Sequence, residues 1–177
     1  MGLEMTVFGG DVIYAADLNA IEARLPQTFN KAVATDRVNN TMTADPELAG
    51  IPLAVGTYEI DLVLMWTQLT TNTQKLRTQW GFSGTWNTPI RAVMGPGSAA
   101  TSARTDVAEM QDGGYASNVD ALYSVAAGAG FAVVREWCRL VTVTVAGNLS
   151  LIWAQNTTSA NITSVKAGTS FVTRKIT

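Results

Sequence analysis

Few residues in this chain can do chemistry, and their spacing narrows the choice. The 177 residues include no histidine and one cysteine, Cys138. That excludes Ser-His-Asp and Cys-His nucleophile systems, a Cys/His zinc site and an internal disulfide. Carboxylates and glycines remain. In "TADPELAG", Asp45 and Glu47 stand two apart, which on a strand puts both on one face. A carboxylate pair can hydrolyse glycosides across a cleft at about 5–9 Å, but Pro46 between them favours a turn into the next strand. The "QDGG" run at 111–114, with Asp106 or Asp120, offers oxygen ligands for calcium. Its spacing is not that of the helix-loop calcium motif, so a turn is expected. "GPGSAATS" at 95–102 lacks the Gly-Lys-Ser/Thr ending of a phosphate loop and reads as a loop. The expectation is a protein that is not an enzyme, with no catalytic residue, metal site or cofactor.

Five tryptophans, Trp66, Trp80, Trp86, Trp137 and Trp153, could stack sugars or bases. All but Trp86 sit in apolar alternation, which points to core or subunit packing. Trp86, in "GFSGTWNT", is expected to be the most exposed and is the candidate ligand contact. Cys138, beside Trp137, reads as a small buried hydrophobe.

The C-terminal stretch "NLSLIWAQNTTSANIT" holds Asn-X-Ser/Thr triplets at Asn148, Asn156 and Asn161, and another begins at Asn39. The N-terminus has no basic n-region, and Gly9, Gly10 and Asp11 break its apolar residues, so a signal peptide is not expected. The triplets read instead as strand–turn–strand chemistry: Thr favours strands, and Asn and Thr favour the turns between them.

The N-terminal part reads as an arm and a short helix, residues 1–30. Leu18, Ile21 and Leu25 share one stripe of the helix in "AADLNAIEARLP", and Pro26 stops it. Val12, Leu18, Ile21 and Leu25 are the candidates for attachment to a larger assembly. From about residue 32 the period changes to two. In "TYEIDLVLMW", Tyr58, Ile60, Leu62, Leu64 and Trp66 share a face, while the other face turns apolar at Val63 and Met65, predicting burial on both sides there. "KLRTQWGF" sets Leu76, Thr78, Trp80 and Phe82 opposite Lys75, Arg77 and Gln79. "FAVVREWCRLVTVTV" is a long strand, and Ala146-Gly147 signals a tight hairpin into "NLSLIWAQN". A last strand follows the Lys166-Ala167-Gly168 turn. The Gly/Ala/Ser-rich stretch 94–130 reads as long loops with a short strand near 121–125. Eight or nine close strands predict an all-β sandwich or barrel over residues 31–177.

Charged residues make up 15% of the chain, against a usual ~25%, and the net charge is −2. No basic stripe exists to bind nucleic acid, and no apolar run reaches the ~18 residues that cross a membrane. Low charge and strands apolar on both faces suit a large subunit interface. Leu151, Trp153 and Gln155 are expected to face a neighbouring copy.

These segments carry a resemblance. "VNNTMTADPELAGIPLAVGTYEIDLVLMW", the "GPGS" loop and "LSLIWAQNTTSANITSVKAGTSF" resemble the small minor tail or minor capsid proteins of tailed phages that infect actinobacteria. The matching positions are Asn40-Thr41, Asp45, Tyr58, Trp153-Ala154-Gln155-Asn156 and Lys166-Ala167-Gly168, over roughly residues 36–176. "GDVIYAADLNAI" is similar to N-terminal attachment segments of phage structural proteins. The resemblance implies a jelly roll of the tumour-necrosis-factor type, usually a homotrimer, without enzymatic activity. It also implies a place on the virion exterior, partnered by the major capsid protein or by tail proteins. Size and the lack of a shaft favour a capsid decoration. A minor tail knob, or a carbohydrate-binding module using Trp86, is the alternative.

Overall fold

A computed structural model describes residues 5–7, 11–13, 18, 21–22, 24–68, 74–97, 108–125 and 131–177, with backbone only for 5–7, 11–13 and 108–113. The strands are β1 (Met5–Val7), β2 (Asp11–Ile13), β3 (Gln27–Asn30), β4 (Thr35–Arg37), β5 (Thr43–Ala44) and β6 (Ile51–Leu53). They continue with β7 (Gly56–Gln68), β8 (Leu76–Phe82), β9 (Thr85–Trp86), β10 (Ile90–Pro96) and β11 (Ala108–Ala116). The last are β12 (Ala121–Tyr123), β13 (Ala132–Val145), β14 (Gly147–Gln155), β15 (Thr163–Val165) and β16 (Ser170–Lys175). The fold is an all-β, antiparallel two-sheet sandwich of the jelly-roll type, as expected.

The larger sheet runs β11-β10-β13-β7-β15-β4, with β16 bridging β7 and β3, and β9 on β13. The smaller runs β12-β8-β14-β5, with β6 on β14. Alternation decides what lies between them. Tyr58, Ile60, Leu62, Leu64 and Trp66 point inward from β7 toward Leu76 and Trp80 of β8 and Leu149, Leu151 and Trp153 of β14, all buried in one core. Trp80 meets Phe171 of β16 edge to face across the layers, centroids 5.5 Å apart.

Several expectations need correction. The Gln111–Gly114 stretch is not a turn: it lies in β11, a nine-residue strand hydrogen-bonded to β10. Gln111 pairs with Val93 and Tyr115 with Arg91, while Asp112, Gly113 and Gly114 form a bulge between them, with Gly114 at φ 60°. Ala146-Gly147 is not a hairpin turn, since β13 and β14 belong to different sheets. The chain changes layer there, in a corner so tight that a Cβ on Gly147 would stand 2.2 Å from the Gly84 amide nitrogen. Val63 and Met65 are half-buried on the solvent face of β7 rather than buried. The sandwich begins at β3, not at residue 31, because β3 pairs with β16. Within β13 the inward parity switches from Val134, Glu136 and Cys138 to Val141 and Val143. A bulge at Arg139-Leu140 causes it, with Leu140 at φ 57°.

The N-terminal arm contains the β1–β2 hairpin. Leu18, Ile21 and Glu22 are helical, and the Arg24 and Leu25 amides bond back to the Ile21 and Glu22 carbonyls. Residues 24–26 form a turn and bend rather than helix, and the other residues of the expected helix lie outside the described residues. Among the described residues no helix is long and apolar enough to cross a membrane.

Candidate functional site

Where the sheets meet lie two ionic clusters, the first buried except at Glu47 and the second wholly buried, and neither was legible in the sequence. The first joins the layers through β3 and β5. Lys31 follows β3, its amide bonded to the Thr169 carbonyl at 2.8 Å and its carbonyl accepting from the Gly168 amide at 2.9 Å. The turn expected at Lys166-Ala167-Gly168 therefore pins Lys31. Asp45 follows β5, with its amide on the Leu151 carbonyl at 2.8 Å. Both side chains are fully buried, and Lys31 Nζ lies 2.8 Å from Asp45 Oδ1. Nζ also donates to Thr35 Oγ1 at 2.7 Å and to Glu47 Oε2 at 3.2 Å. Asp45 Oδ1 accepts from the Glu47 and Leu48 amides at 3.1 and 3.2 Å, and Oδ2 from Trp153 Nε1 at 3.0 Å. The Arg37 guanidinium covers the Trp153 ring at 4.1 Å.

Burial pushes the Asp45 carboxyl up, but hydrogen bonds from Lys31, Trp153 and the Glu47 amide outweigh it and hold the pKa below the ordinary range. Glu47 is lowered too, first by the Val33 amide at 2.9 Å. The turn expected at Pro46 is present, as a run of bends at 46–49. Asp45 and Glu47 thus line no cleft between them. They converge on one lysine.

The second cluster sits between β10, β13, β8 and β12. Arg91 Nη1 lies 2.5 Å from Glu136 Oε2, both buried, and Tyr123 OH donates to Glu136 Oε1 at 2.9 Å. Thr78 donates to the same carboxylate. Burial, then the neighbouring Glu136 charge, pushes the Tyr123 phenol well above its usual value. Thr78 and Tyr123 of the smaller sheet both bond the Glu136 carboxylate of the larger, so the cluster ties the layers, although Arg91 Nε is left without a partner.

The remaining surface is the outer face of the larger sheet. Opposed residues share a face, so the registers define its rows. One row runs Met94, Arg135, Val63, Ser170, and the next Ala92, Trp137, Asp61, Val172. Val133, 53% exposed, stands beside Met65. Charges on this face are paired: Arg135 with Asp61, and Glu59 with both Arg139 and Arg174. A shallow pocket of about 180 Å³ lies among Pro26, Glu59, Trp137 and Arg174.

The sequence-predicted site residues are dispersed. Leu151, Trp153 and Gln155 are fully buried inside the chain, so they are not a subunit interface; their apolar pattern serves the core. Trp86 is half-buried and stacks on Phe82, centroids 4.6 Å apart at 21°, so one ring face is already covered. Trp137 also reaches the surface. Of the attachment candidates, Ile21 and Leu25 are 53% and 56% exposed. Leu18 is half-buried, and the Val12 side chain lies outside the described residues. Cys138 is buried, which raises its pKa. Asp120 is held by Arg77 at 3.1 Å and Gln79 at 2.8 Å, not aimed at a cation, and Asp106 and residues 98–102 of the Gly-rich loop lie outside the described residues. No group of three or more His, Cys, Asp or Glu that could hold a metal exists among the described residues.

No family model matches the chain, and no curated protein matches it. Among solved structures, one of the infectious bursal disease virus Gx strain aligns with 97% of this chain and 45% of its own, at 11% identity and a TM-score of 0.18. The chain thus spans less than half of that protein, and so low a score carries no argument.

Proposed function

We infer that this chain is a non-enzymatic structural protein of a tailed-phage virion, a homotrimeric surface knob that decorates the capsid exterior. The sequence resemblance suggests the setting. The observation that supports self-association is the outer face of the larger sheet. Met94, Val133 and Val63 lie there beside charges already neutralised by Arg135–Asp61 and by Glu59 with its two arginines. Such a face meets a second copy with little uncompensated charge to desolvate. This surface replaces Leu151, Trp153 and Gln155 as the proposed trimer contact. The arm with Val12, Leu18, Ile21 and Leu25 is the proposed link to the major capsid protein.

Immunogold labelling of intact particles tests the placement. Gold on the capsid supports decoration, gold on the tail moves the same knob to a minor tail role, and unlabelled particles sink the virion reading. Deleting residues 1–26 stops just before β3. The truncated chain is expected to fold and self-associate yet fail to join particles; incorporation would overturn the arm's role.

A further inference from the structure

We propose that Lys31 and Asp45 condense into an intramolecular isopeptide bond, with Glu47 as the proton shuttle, so that the two sheets become covalently joined. This concerns the chain's own chemistry and is independent of the virion reading.

The reacting groups are already in contact. Lys31 Nζ and Asp45 Oδ1 are 2.8 Å apart, and both side chains are fully buried. Their backbones are fixed by the bonds to Thr169, Gly168 and Leu151. Such fixed contact makes the encounter effectively unimolecular. Trp153 Nε1, 3.0 Å from Oδ2, is a donor placed for the oxyanion of a tetrahedral intermediate, and the Glu47 and Leu48 amides fix Oδ1. Glu47 Oε2 is 3.2 Å from Nζ, and the amides of Ala32 and Val33 hold its carboxylate at 3.2 and 2.9 Å. Glu47, 31% exposed, completes the three acceptors of the ammonium with Asp45 and Thr35, and so stands where it can take a proton from Nζ.

The step balances. The Asp45 carboxyl is ionised at rest, because its hydrogen bonds outweigh burial, so the neutral amine–acid pair is the transient reactive state. The Lys31 ammonium passes one proton to Asp45 Oδ1, leaving a free amine and a carboxylic acid. The amine attacks Cγ, forming the Nζ–Cγ bond and placing negative charge on Oδ2 beside Trp153 Nε1. Glu47 takes a proton from Nζ and delivers it to Oδ1. The Cγ–Oδ1 bond breaks, Oδ1 leaves as water, and Oδ2 becomes the amide carbonyl. Ammonium plus carboxylate has become amide plus water, Glu47 is regenerated, and nothing is oxidised or reduced.

The consequence is mechanical. Lys31 extends from β3 in the larger sheet and Asp45 from β5 in the smaller, so the bond resists separation of the layers.

The test is mass spectrometry of the purified full-length chain. The folded protein is expected to be lighter than its sequence by one water. Trypsin should fail to cut after Lys31 and should release residues 25–37 joined to residues 38–75. Asp45 precedes Pro46, which has no amide N–H, so cyclisation onto the next backbone nitrogen cannot mimic the loss at this position. Lys31→Arg keeps the cation and is expected to retain the full mass. Glu47→Gln is expected to fold and stay uncondensed, or condense many times more slowly. If wild-type chain, shown folded by its near-ultraviolet spectrum, keeps its full mass after prolonged incubation at neutral and mildly acidic pH, the bond does not form. If Glu47→Gln condenses as fast as wild type, Glu47 is not the shuttle. Both results stand even if Lys31→Arg fails to fold.

Discussion

Glu136 illustrates how one residue can hold two layers. Its carboxylate accepts from Arg91 in its own sheet and from Thr78 and Tyr123 in the other. Removing one partner of a buried pair leaves the other charge uncompensated, which costs about 3–5 kcal/mol. Glu136→Ala is therefore expected to lower stability by that amount in urea denaturation. Arg91→Met with Glu136→Leu together should cost less than the sum of the singles, since no lone charge remains; additive losses would contradict the pairing. Glu59 shows the surface case. The Arg139 hydrogen bond lowers its pKa, burial opposes, and Arg174 lowers it further. A folded pKa below the unfolded one means stabilisation present above the ordinary glutamate range and lost as pH falls through the folded value. Glu59→Gln should flatten that part of the stability–pH curve; an unchanged slope would show that the pairing contributes nothing in solution.

At the scale of elements, the passage from β13 to β14 is the sharpest constraint. Gly84 and Gly147 let two backbones touch: a Cβ on Gly147 would lie 2.2 Å from the Gly84 nitrogen, and one on Gly84 2.2 Å from the Val145 carbonyl oxygen. Backbone cannot swing aside as a side chain can, so Gly147→Ala is expected to cost about 1–3 kcal/mol. Gly50→Ala meets no atom within 4 Å, although its φ of 76° still carries strain. Thermal unfolding of the two variants checks the order, and a smaller loss for Gly147→Ala would refute the close approach. The alternation in β7, β8 and β14 was readable because a period of two maps directly onto inward and outward faces. β11 was not, because an edge strand is templated by its neighbour more than by its own propensity.

For the molecule as a whole, the outer face of the larger sheet governs association. Val133→Glu puts a charge on a position already exposed in the single chain, so the fold should survive while a trimer should not. Sedimentation at micromolar concentration tells the outcomes apart. A trimer that persists in Val133→Glu removes this face from the interface, and a monomeric wild type removes the trimer.

By itself the sequence determined the all-β class, the inward faces of β7, β8 and β14, the turns at Pro46 and Lys166-Ala167-Gly168, the burial of Cys138 and the absence of histidine chemistry. All of these follow from local periodicity or composition. Only the tertiary structure decided that Leu151, Trp153 and Gln155 serve the core, that β13 and β14 part into different sheets, and that Lys31 meets Asp45 and Glu47. A strand pattern states that a face is apolar without stating what covers it. Likewise, a lysine and an aspartate fourteen residues apart become partners only when two sheets close over them. The stretch "ADPELAG" looked like a turn with spare carboxylates, and packing against β3 is what gave those carboxylates an amine.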